Sequence, residues 1–401
     1  MSELETLLKY LDDPHWVELY EREMVHRAYV EGEGVVQMVH TPWALCKNIV
    51  DKLKTFTCLE GKSVLVLNVE FLPYVQDAAE VWFVADNKEK GIIANVMYPK
   101  CKIMSGCLLN LTEGLKMAGR KFDVVIGNPP YFGKGKGLHL RFLETAFELT
   151  QDDGYVLFVH PATWLISNKV DGTATKYYKQ IKQLVAKSVL DFTFLNPDVL
   201  FGVEMSMPIV ITFLRKNNGN VKYRVIDKIK NEVWDYDDID DINIFCNYPE
   251  YFSLKGKFLQ AANKDCLDTH VDSDGRFYVI LPKITGHLDK KSLFRNDFFT
   301  LCNRTTVVSK QKDKSGLVFG FQTQKEAENF LAYVQSKVAR FALAIYKFNK
   351  NIHMGELRSV PWLDFSQEYT DNRLRKEFNI TDQEWKFIDS VIPDYYGENT
   401  T

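Results

Sequence analysis

Residues 122–131, FDVVIGNPPY, join a short apolar run to a rigid aromatic turn. The run FDVVIG has the apolar and β-branched composition of a buried strand, and two prolines follow it. Because proline fixes φ and has no backbone N–H, the turn presents carbonyl oxygens and the Asn128 side-chain oxygen without competing donors. Tyr131 adds a ring that can stack on a flat group. The stretch predicts a strand that ends in a site for a planar, amino-bearing group, although an ordinary loop uses similar residues.

Short β-rich runs alternate with helical stretches on both sides of this turn. The runs begin near residues 63, 81, 155 and 189, and the clearest helix covers residues 138–149 with one apolar face. Strands that alternate with helices predict a mainly parallel sheet with helices on both faces, which is a Rossmann-like α/β fold. A closing antiparallel pair is predicted over residues 191–195 and 207–214.

The regular alternation ends near Lys216, and the turn-rich stretch NNGN at 217–220 follows. We therefore predict two domains, residues 1–220 and 221–401. The second domain has a mixed α+β pattern with one long amphipathic helix over residues 323–346.

Charge is spread unevenly along the chain. The formal net charge is −3, yet residues 282–360 carry 14 Lys and Arg against 6 Asp and Glu, a local excess of +8. A basic region in an acidic chain is typical of a polyanion-binding site, although a solvated lysine-rich surface has the same composition.

Composition excludes several classes of protein. With 46% hydrophobic and 26% charged residues, the chain is neither disordered nor fibrous. No stretch approaches the ~18 consecutive apolar residues of a membrane span. The seven cysteines show neither paired metal-ligand spacing nor a disulfide framework. We predict a soluble, cytoplasmic protein with reduced thiols and without a metal.

A second motif, Thr41-Pro42, precedes the first strand. Thr41 is predicted to cap an amphipathic helix with Pro42 at its first position and apolar residues at 45, 49, 50 and 53. Together with a strand at 63–67, the NPPY turn and the run GYVLFVHPATW at 154–164, this motif resembles the adenine-N6 DNA methyltransferases of restriction-modification type. The match is to the group with an amino-terminal cofactor domain and a carboxy-terminal target-recognition domain.

That resemblance implies a class I methyltransferase fold, S-adenosylmethionine as cofactor and double-stranded DNA as partner. It assigns catalysis to Asn128, Pro129, Pro130 and Tyr131. The Asn128 side-chain oxygen and the Pro129 carbonyl would accept the amino hydrogens of a flipped-out adenine, and Tyr131 would stack on the base.

Cofactor binding is expected from residues at the ends of the first strands. The candidates are Thr41, Pro42, Asn68, Glu70, Asp86 and Asn128. The family has a glycine-rich turn after its first strand, whereas residues 64–72, VLVLNVEFL, contain no glycine. Side chains there are expected to crowd a ligand that needs close backbone approach. Cys107 stands where the family has an aspartate near the adenine ring of the cofactor.

DNA contacts are expected from cations in the basic region and from the glycine- and lysine-rich loop after Tyr131. The candidates are Lys134, Lys136, Arg295, Arg304, Lys310, Lys312, Lys314 and Arg340.

Two alternatives stay open at the level of sequence. The missing glycines favour a catalytically impaired DNA-binding relative, or a subunit that needs an active partner. The NPPY turn is also used by methyltransferases that act on RNA or on protein glutamine. The size of the second domain and the basic stretch within it favour duplex DNA.

Overall fold

A computed structural model describes most of the 401-residue chain: residues 27–30, 34–37, 41–131, 137–166, 173–195, 209–219, 222–228, 231–242, 249–281, 307–312, 316–346, 352, 354–392 and 394–395. The chain divides into two compact units. The first comprises Met1–Ala162 and Lys176–Asp241, and the second comprises Thr163–Thr175 and Ile242–Thr401. Near the amino terminus, β1 (Arg27–Val30) and β2 (Gly34–Gln37) form an antiparallel hairpin.

A nine-stranded sheet forms the centre of the first unit, in the order β11-β10-β8-β9-β7-β6-β3-β4-β5. Its strands are β3 (Ser63–Val66), β4 (Glu80–Ala85), β5 (Lys102–Ser105), β6 (Phe122–Gly127), β7 (Thr150–Pro161), β8 (Val189–Leu195), β9 (Ile209–Arg215), β10 (Tyr223–Asp227) and β11 (Glu232–Tyr236).

Strands β3 to β7 run parallel, and β9 runs antiparallel to both β7 and β8. From β3 the chain first winds outward through β4 to β5 and then returns to β6 on the other side of β3. In such a sheet, ligands bind beyond the carboxyl ends of the strands where the winding direction reverses, here between β3 and β6. The predicted mainly parallel α/β sheet, with its closing antiparallel pair, is confirmed.

The described helices belong to both units. In chain order they are α1 (Trp43–Lys54), α2 (Lys88–Met97), α3 (Leu108–Met117), α4 (Leu138–Leu149), α5 (Thr163–Ile166), α6 (Thr173–Val185), α7 (Pro249–Ala262), α8 (Gln324–Gln335), α9 (Lys337–Ala344), α10 (Met354–Leu357), α11 (Asp371–Glu377) and α12 (Asp382–Val391). A 3₁₀-helix over Val69–Tyr74 follows β3 directly. It occupies the position where the sequence lacks the expected glycines.

The start of α1 differs from the prediction. The helix begins at Trp43 with Pro42 as its N-cap, and the N-cap makes no side-chain capping bond. The Pro42 carbonyl instead accepts hydrogen bonds from the backbone N–H groups of Leu45 and Cys46. Thr41 therefore lies outside the helix, and its hydroxyl is available to another element.

The first unit extends beyond the predicted boundary at residue 220. β10 pairs with β8 in parallel, and β11 pairs with β10 as an antiparallel hairpin. The acidic run at 235–241 begins within β11, and the unit ends at Asp241. The boundary consequently lies about one hairpin later than the turn-rich stretch at 217–220 indicated.

The second unit contains a three-stranded antiparallel sheet in the order β13-β12-β14. Its strands are β12 (Phe277–Leu281), β13 (Val307–Ser309) and β14 (Leu317–Phe321). Aromatic rings of Phe319, Phe330, Trp362 and Phe365 pack together in its core. The long helix predicted over 323–346 is two helices, because Ser336 has an extended ψ of 152° and caps α9 through the Ala339 N–H.

Gly127, the last residue of β6, allows β3 and β6 to approach each other closely at their carboxyl ends. A Cβ atom at this position would lie 2.6 Å from Leu67 Cβ and 2.9 Å from Asn68 Oδ1. Real Cβ atoms essentially never come this close to a neighbour. The glycine before Asn128 therefore lets the turn pack directly against the end of β3.

We expect the Gly127→Ala variant to be destabilised by about 1–3 kcal/mol, since overpacking a closed interior forces the backbone apart. Gly114→Ala is the matched control, because Gly114 lies within α3 and a Cβ there meets nothing within 4 Å. Alanine in a helix is favoured over glycine by about 0.5–1 kcal/mol, so the control should be more stable than the natural chain. Urea unfolding followed by tryptophan fluorescence measures both. Equal urea midpoints for Gly127→Ala and the natural chain would show that the ends of β3 and β6 can move apart without loss of stability.

Candidate active site

A cleft lies beyond the carboxyl ends of β3, β4, β5 and β6, and encloses about 340 Å³ of empty space including the part open to solvent. We call it the strand-end cleft. Its lining consists of Leu67, Val84, Asp86, Gly106, Cys107, Leu108, Asn128, Pro129, Pro130 and Phe142. The cleft therefore lies where the reversal of winding predicts a ligand site. It brings Asp86, predicted for the cofactor, together with three of the four predicted catalytic residues.

Asp86 follows β4 and carries the acidic group of the cleft. Its Oδ2 lies 3.3 Å from the Lys90 Nζ, one helical turn further along the chain. Its Oδ1 is buried without a hydrogen-bond partner among the described residues. Burial raises the pKa of this carboxyl group, while the Lys90 cation opposes the rise. A buried acceptor that lines a cleft can bind a ligand hydroxyl at little further desolvation cost.

The Asn128 side chain is oriented by residues that precede and follow β3. Its Nδ2 donates to the Thr41 Oγ1 at 2.9 Å, and its backbone N–H donates to the Asn68 Oδ1. The Thr41 N–H in turn donates to the Glu70 Oε1 at 3.1 Å. All four residues are buried. Since Nδ2 is committed to Thr41, the amide oxygen of Asn128 is fixed as the acceptor end of the group.

Three residues that were predicted to bind the cofactor thus form hydrogen bonds with other protein groups. Asn68, Glu70 and Thr41 form hydrogen bonds with one another's backbone or with Asn128, and none of them lines the strand-end cleft. Pro42 caps α1 and is likewise outside the lining. The observed hydrogen bonds of Thr41, Asn68 and Glu70 support Asn128.

Tyr131 is buried in the structure, with 3% of its surface exposed. Its hydroxyl interacts with the Asn128 side chain, and burial raises the pKa of the phenol well above its usual range. Its ring packs in the hydrophobic core of the first unit. The ring that the sequence predicts as a stacking face is therefore covered in this structure.

Two buried histidines pack against each other, and one of them contacts the NPPY turn. The His139 Nδ1, on α4, lies 3.4 Å from the Tyr131 carbonyl oxygen. The His160 Nε2, on β7, lies 2.7 Å from the Thr212 hydroxyl on β9. The two imidazole rings have their centroids 5.4 Å apart. Burial lowers the pKa of both rings, so both are neutral at neutral pH.

Cys107 and Phe142 also line the strand-end cleft. The resemblance places Cys107 where the family has an aspartate near the adenine ring, whereas Phe142 was not predicted as a site residue. Cys107 follows β5 as the N-cap of α3, and burial raises the pKa of its thiol. Phe142 comes from α4, on the face that packs inward. The rule that ligands bind at strand ends agrees with this position of Cys107. Phe142 has the same sequence signal as any residue of an apolar helix face.

Few of the predicted DNA contacts can be located. Lys134, Lys136, Arg295, Arg304 and Lys314 lie outside the described residues. Lys310 is exposed, whereas the Lys312 ammonium binds the Asp272 carbonyl and the Asp274 carboxylate. Arg340 is 1% exposed, and its guanidinium lies 5.8 Å from the Tyr395 ring. A cation buried in this way does not reach a phosphate, so the prediction for Arg340 is corrected to a core residue of the second unit.

Similarity to known proteins is found for part of the chain. The profile of the Eco57I restriction-modification methylase family matches residues 83–196, which is well under half of the chain. This segment includes β6, the NPPY turn and β7. The predicted resemblance to restriction-modification methyltransferases is confirmed over this segment. No curated protein matches the chain in sequence.

Solved structures with a similar arrangement include the methyltransferase subunit of a type I restriction-modification system from Streptococcus thermophilus. That structure is 15% identical, with a TM-score of 0.39, over 47% of this chain and 47% of that one. The M protein of the type I restriction enzyme EcoKI is 17% identical, with a TM-score of 0.37, over 47% and 48%. The chain spans about half the length of these proteins. Similarity at this level assigns no substrate or partner to this chain.

Within the described ranges, no helix has the length and apolar character needed to cross a membrane. In the same part of the chain, no group of three or more His, Cys, Asp and Glu side chains is arranged to hold a metal ion.

Burial of the two histidines predicts a loss of stability in mild acid. Burial lowers the pKa of His139 to about 4. An unfolded chain binds this proton near pH 6.5, so the stability is complete above that pH and is lost as the pH falls toward 4. Between pH 7 and 5, we expect His139 to lower the free energy of unfolding by about 2 kcal/mol. Urea unfolding at both pH values measures this change.

The control for this prediction is His139→Leu, which removes the titrating group. Its free energy of unfolding should depend less on pH than that of the natural chain over the same interval. The same pH dependence in both proteins would show that His139 is not the group responsible.

Proposed function

We propose that this chain is a DNA methyltransferase of restriction-modification type that transfers a methyl group from S-adenosylmethionine to the N6 amine of adenine. The observation that carries the proposal is the common lining of one cleft by Asp86, Asn128 and Pro129. The group proposed to bind the cofactor, Asp86, and the groups proposed to bind the amine, Asn128 and Pro129, then face the same cleft. The family match over residues 83–196 supports the same reaction class.

The strand-end cleft fits the adenosyl part of the cofactor. The Asp86 Oδ1 is a buried acceptor without a partner among the described residues, and a ribose hydroxyl is a donor. Cys107, Leu108 and Phe142 provide apolar surface for the adenine ring. When bound, S-adenosylmethionine supplies a methyl group on a positively charged sulfur, which leaves as a neutral thioether.

Asn128 and Pro129 would act on the nitrogen that is methylated. The amide oxygen and the Pro129 carbonyl accept the two N6 hydrogens and favour a pyramidal nitrogen, whose lone pair is then free of the ring. Held in this way by Asn128 and Pro129, the lone pair would be directed at the methyl group that the bound cofactor supplies. The nitrogen then loses one proton to solvent. The hydrogen bond from Asn128 to Thr41 orients the amide for this task before the substrate arrives.

Adenine in a duplex reaches such a site only after it leaves the base stack. Tyr131 follows the two acceptors and would stack on the flipped base. Because its ring is 3% exposed, the residues that cover it must move when the base enters. Target recognition falls to the second unit, where exposed Lys310 belongs to the basic region.

One observation favours a second function, a DNA-binding relative or subunit with impaired cofactor binding. The Leu67 side chain lines the cleft directly after β3, at the place where the family has a glycine-rich turn. A leucine there narrows the space for the methionine part of the cofactor. The Leu67→Ala variant should bind S-adenosylmethionine more tightly than the natural chain if this crowding limits affinity.

Asn128→Ala should lower kcat for methyl transfer by about 100- to 1,000-fold, which is the usual cost of removing one preorganised group that stabilises developing charge. Transfer of tritiated methyl groups to duplex DNA measures the rate, and sequencing of the product reports the modified base. Asn110→Ala is the matched control, because Asn110 is an exposed asparagine on α3. A rate for Asn128→Ala within about threefold of the natural chain contradicts the role of the amide. Label in RNA or in protein glutamine would instead identify another acceptor.

Asp86→Ala should weaken binding of S-adenosylmethionine by about 10- to 100-fold, since a hydrogen bond to a charged group contributes about 1.5–3 kcal/mol. Isothermal titration calorimetry measures the affinity without DNA. Asp51→Ala is the control, because Asp51 is an exposed carboxylate on α1. If both variants bind the cofactor as the natural chain does, the strand-end cleft is not the cofactor site.

A further inference from the structure

The NPPY turn is held at both ends by side chains from other parts of the fold. At the first end, the Asn128 N–H donates to the Asn68 side chain. At the second end, the Tyr131 carbonyl lies 3.4 Å from the His139 Nδ1. The two residues between them are prolines and have no N–H to donate. The turn therefore lacks two of the backbone donors that would tie an ordinary segment to its neighbours.

We propose that His139 is a positioning residue for methyl transfer, which fixes the Tyr131 end of the turn. Its effect on rate rests on the proposed function. Its effect on the turn does not, because the contact exists in the protein without any substrate. Pro129 and Tyr131 are the residues whose positions depend on it.

Chemistry fixes the tautomer of this histidine. A carbonyl oxygen can only accept a hydrogen bond, so the His139 Nδ1 must carry the proton. The imidazole is neutral at neutral pH, since burial lowers its pKa to about 4. The proton is therefore on Nδ1, and Nε2 is unprotonated. This tautomer gives the contact a spectroscopic signature.

His139 is itself held in place from two sides. The residues near His139 on α4 are buried, including Leu138, Leu140 and Leu143. Its ring packs against His160, which lies on β7 and is bound to the Thr212 hydroxyl of the neighbouring β9. The donor thus projects from a rigid helix that is supported by the centre of the sheet.

A displacement of the turn would lower the rate of methyl transfer. The Pro129 carbonyl and the Tyr131 ring must both meet the same base, and they are joined by only one residue. A displacement of about 1 Å at a catalytic group can lower a rate by about 100-fold. Loss of the His139 donor releases one end of the turn and leaves the cleft residues outside the turn, such as Asp86 and Cys107, in place.

Two variants test the contact. His139→Leu removes the donor, and His139→Asn retains an amide N–H close to the position of the imidazole Nδ1. We expect kcat to fall about 10- to 100-fold in His139→Leu and to return within about threefold of the natural value in His139→Asn. The Kd for S-adenosylmethionine should stay unchanged in both. A natural rate in His139→Leu, or an equal loss in both variants, overturns the proposal.

Leu53→Ala is the control for stability. Leu53 is fully buried near the carboxyl end of α1, and its truncation should cost about 2–5 kcal/mol. Its kcat should match that of the natural chain at a temperature where both are folded. If Leu53→Ala loses as much rate as His139→Leu, the effect of His139 is general destabilisation and the proposal fails.

Two measurements decide the contact without activity. Selective ¹⁵N-histidine labelling should show a ring of the Nδ1–H tautomer whose signal is absent in His139→Leu. Hydrogen exchange of peptides that contain Tyr131 should be faster in His139→Leu than in His139→Asn. Unchanged exchange overturns the positioning role. If the natural chain transfers no methyl group to any acceptor, the proposed function fails. These two measurements still test the contact between His139 and the Tyr131 carbonyl.

Discussion

The close approach of β3 and β6 at their carboxyl ends is the constraint on which the site depends. Gly127 leaves no Cβ between the strands, so the Asn68 side chain can accept the Asn128 N–H. From this contact the other bonds follow, because Asn128 then reaches Thr41 and Thr41 reaches Glu70. Because Gly127 has no side chain, four buried polar residues can pack and form hydrogen bonds at this end of the sheet. Their mutual hydrogen bonds offset the cost of removing them from water.

Much of the fold could be predicted from local patterns. The strand FDVVIG, the amphipathic helix at 138–149 and the antiparallel pair near 191–214 each carry a strong periodic signal, and the structure has them where expected. The break at Ser336 and the hairpin beyond residue 220 could not be predicted in this way. Ser336 interrupts an unbroken apolar rhythm, and turn-rich residues mark a hairpin as readily as a domain boundary.

The site was predictable in its location and less so in its contacts. Residue type placed Asp86, Asn68 and Glu70 at strand ends, where polar groups commonly meet ligands. Which of them faces the cleft depends on side-chain direction, and only Asp86 does. Arg340 shows the same limit, since a cation in a basic region can lie in the core beside an aromatic ring. No sequence pattern predicts the contact between His139 and His160, because α4, β7 and β9 are separated in the sequence and pack together only in the folded chain.

The hairpin of β10 and β11 also protects the sheet from self-association. β8 is a run of mostly apolar, buried residues, VLDFTFL, and β10 occupies the backbone groups on its outer side. Without the hairpin, that strand would be a long apolar edge, which readily pairs with another chain. β11 forms the edge instead, with Glu232 and Asp235 on it and more carboxylates just beyond. The acidic run thus makes the last strand a poor template for aggregation, and an isolated first unit would need residues up to Asp241 to keep that protection.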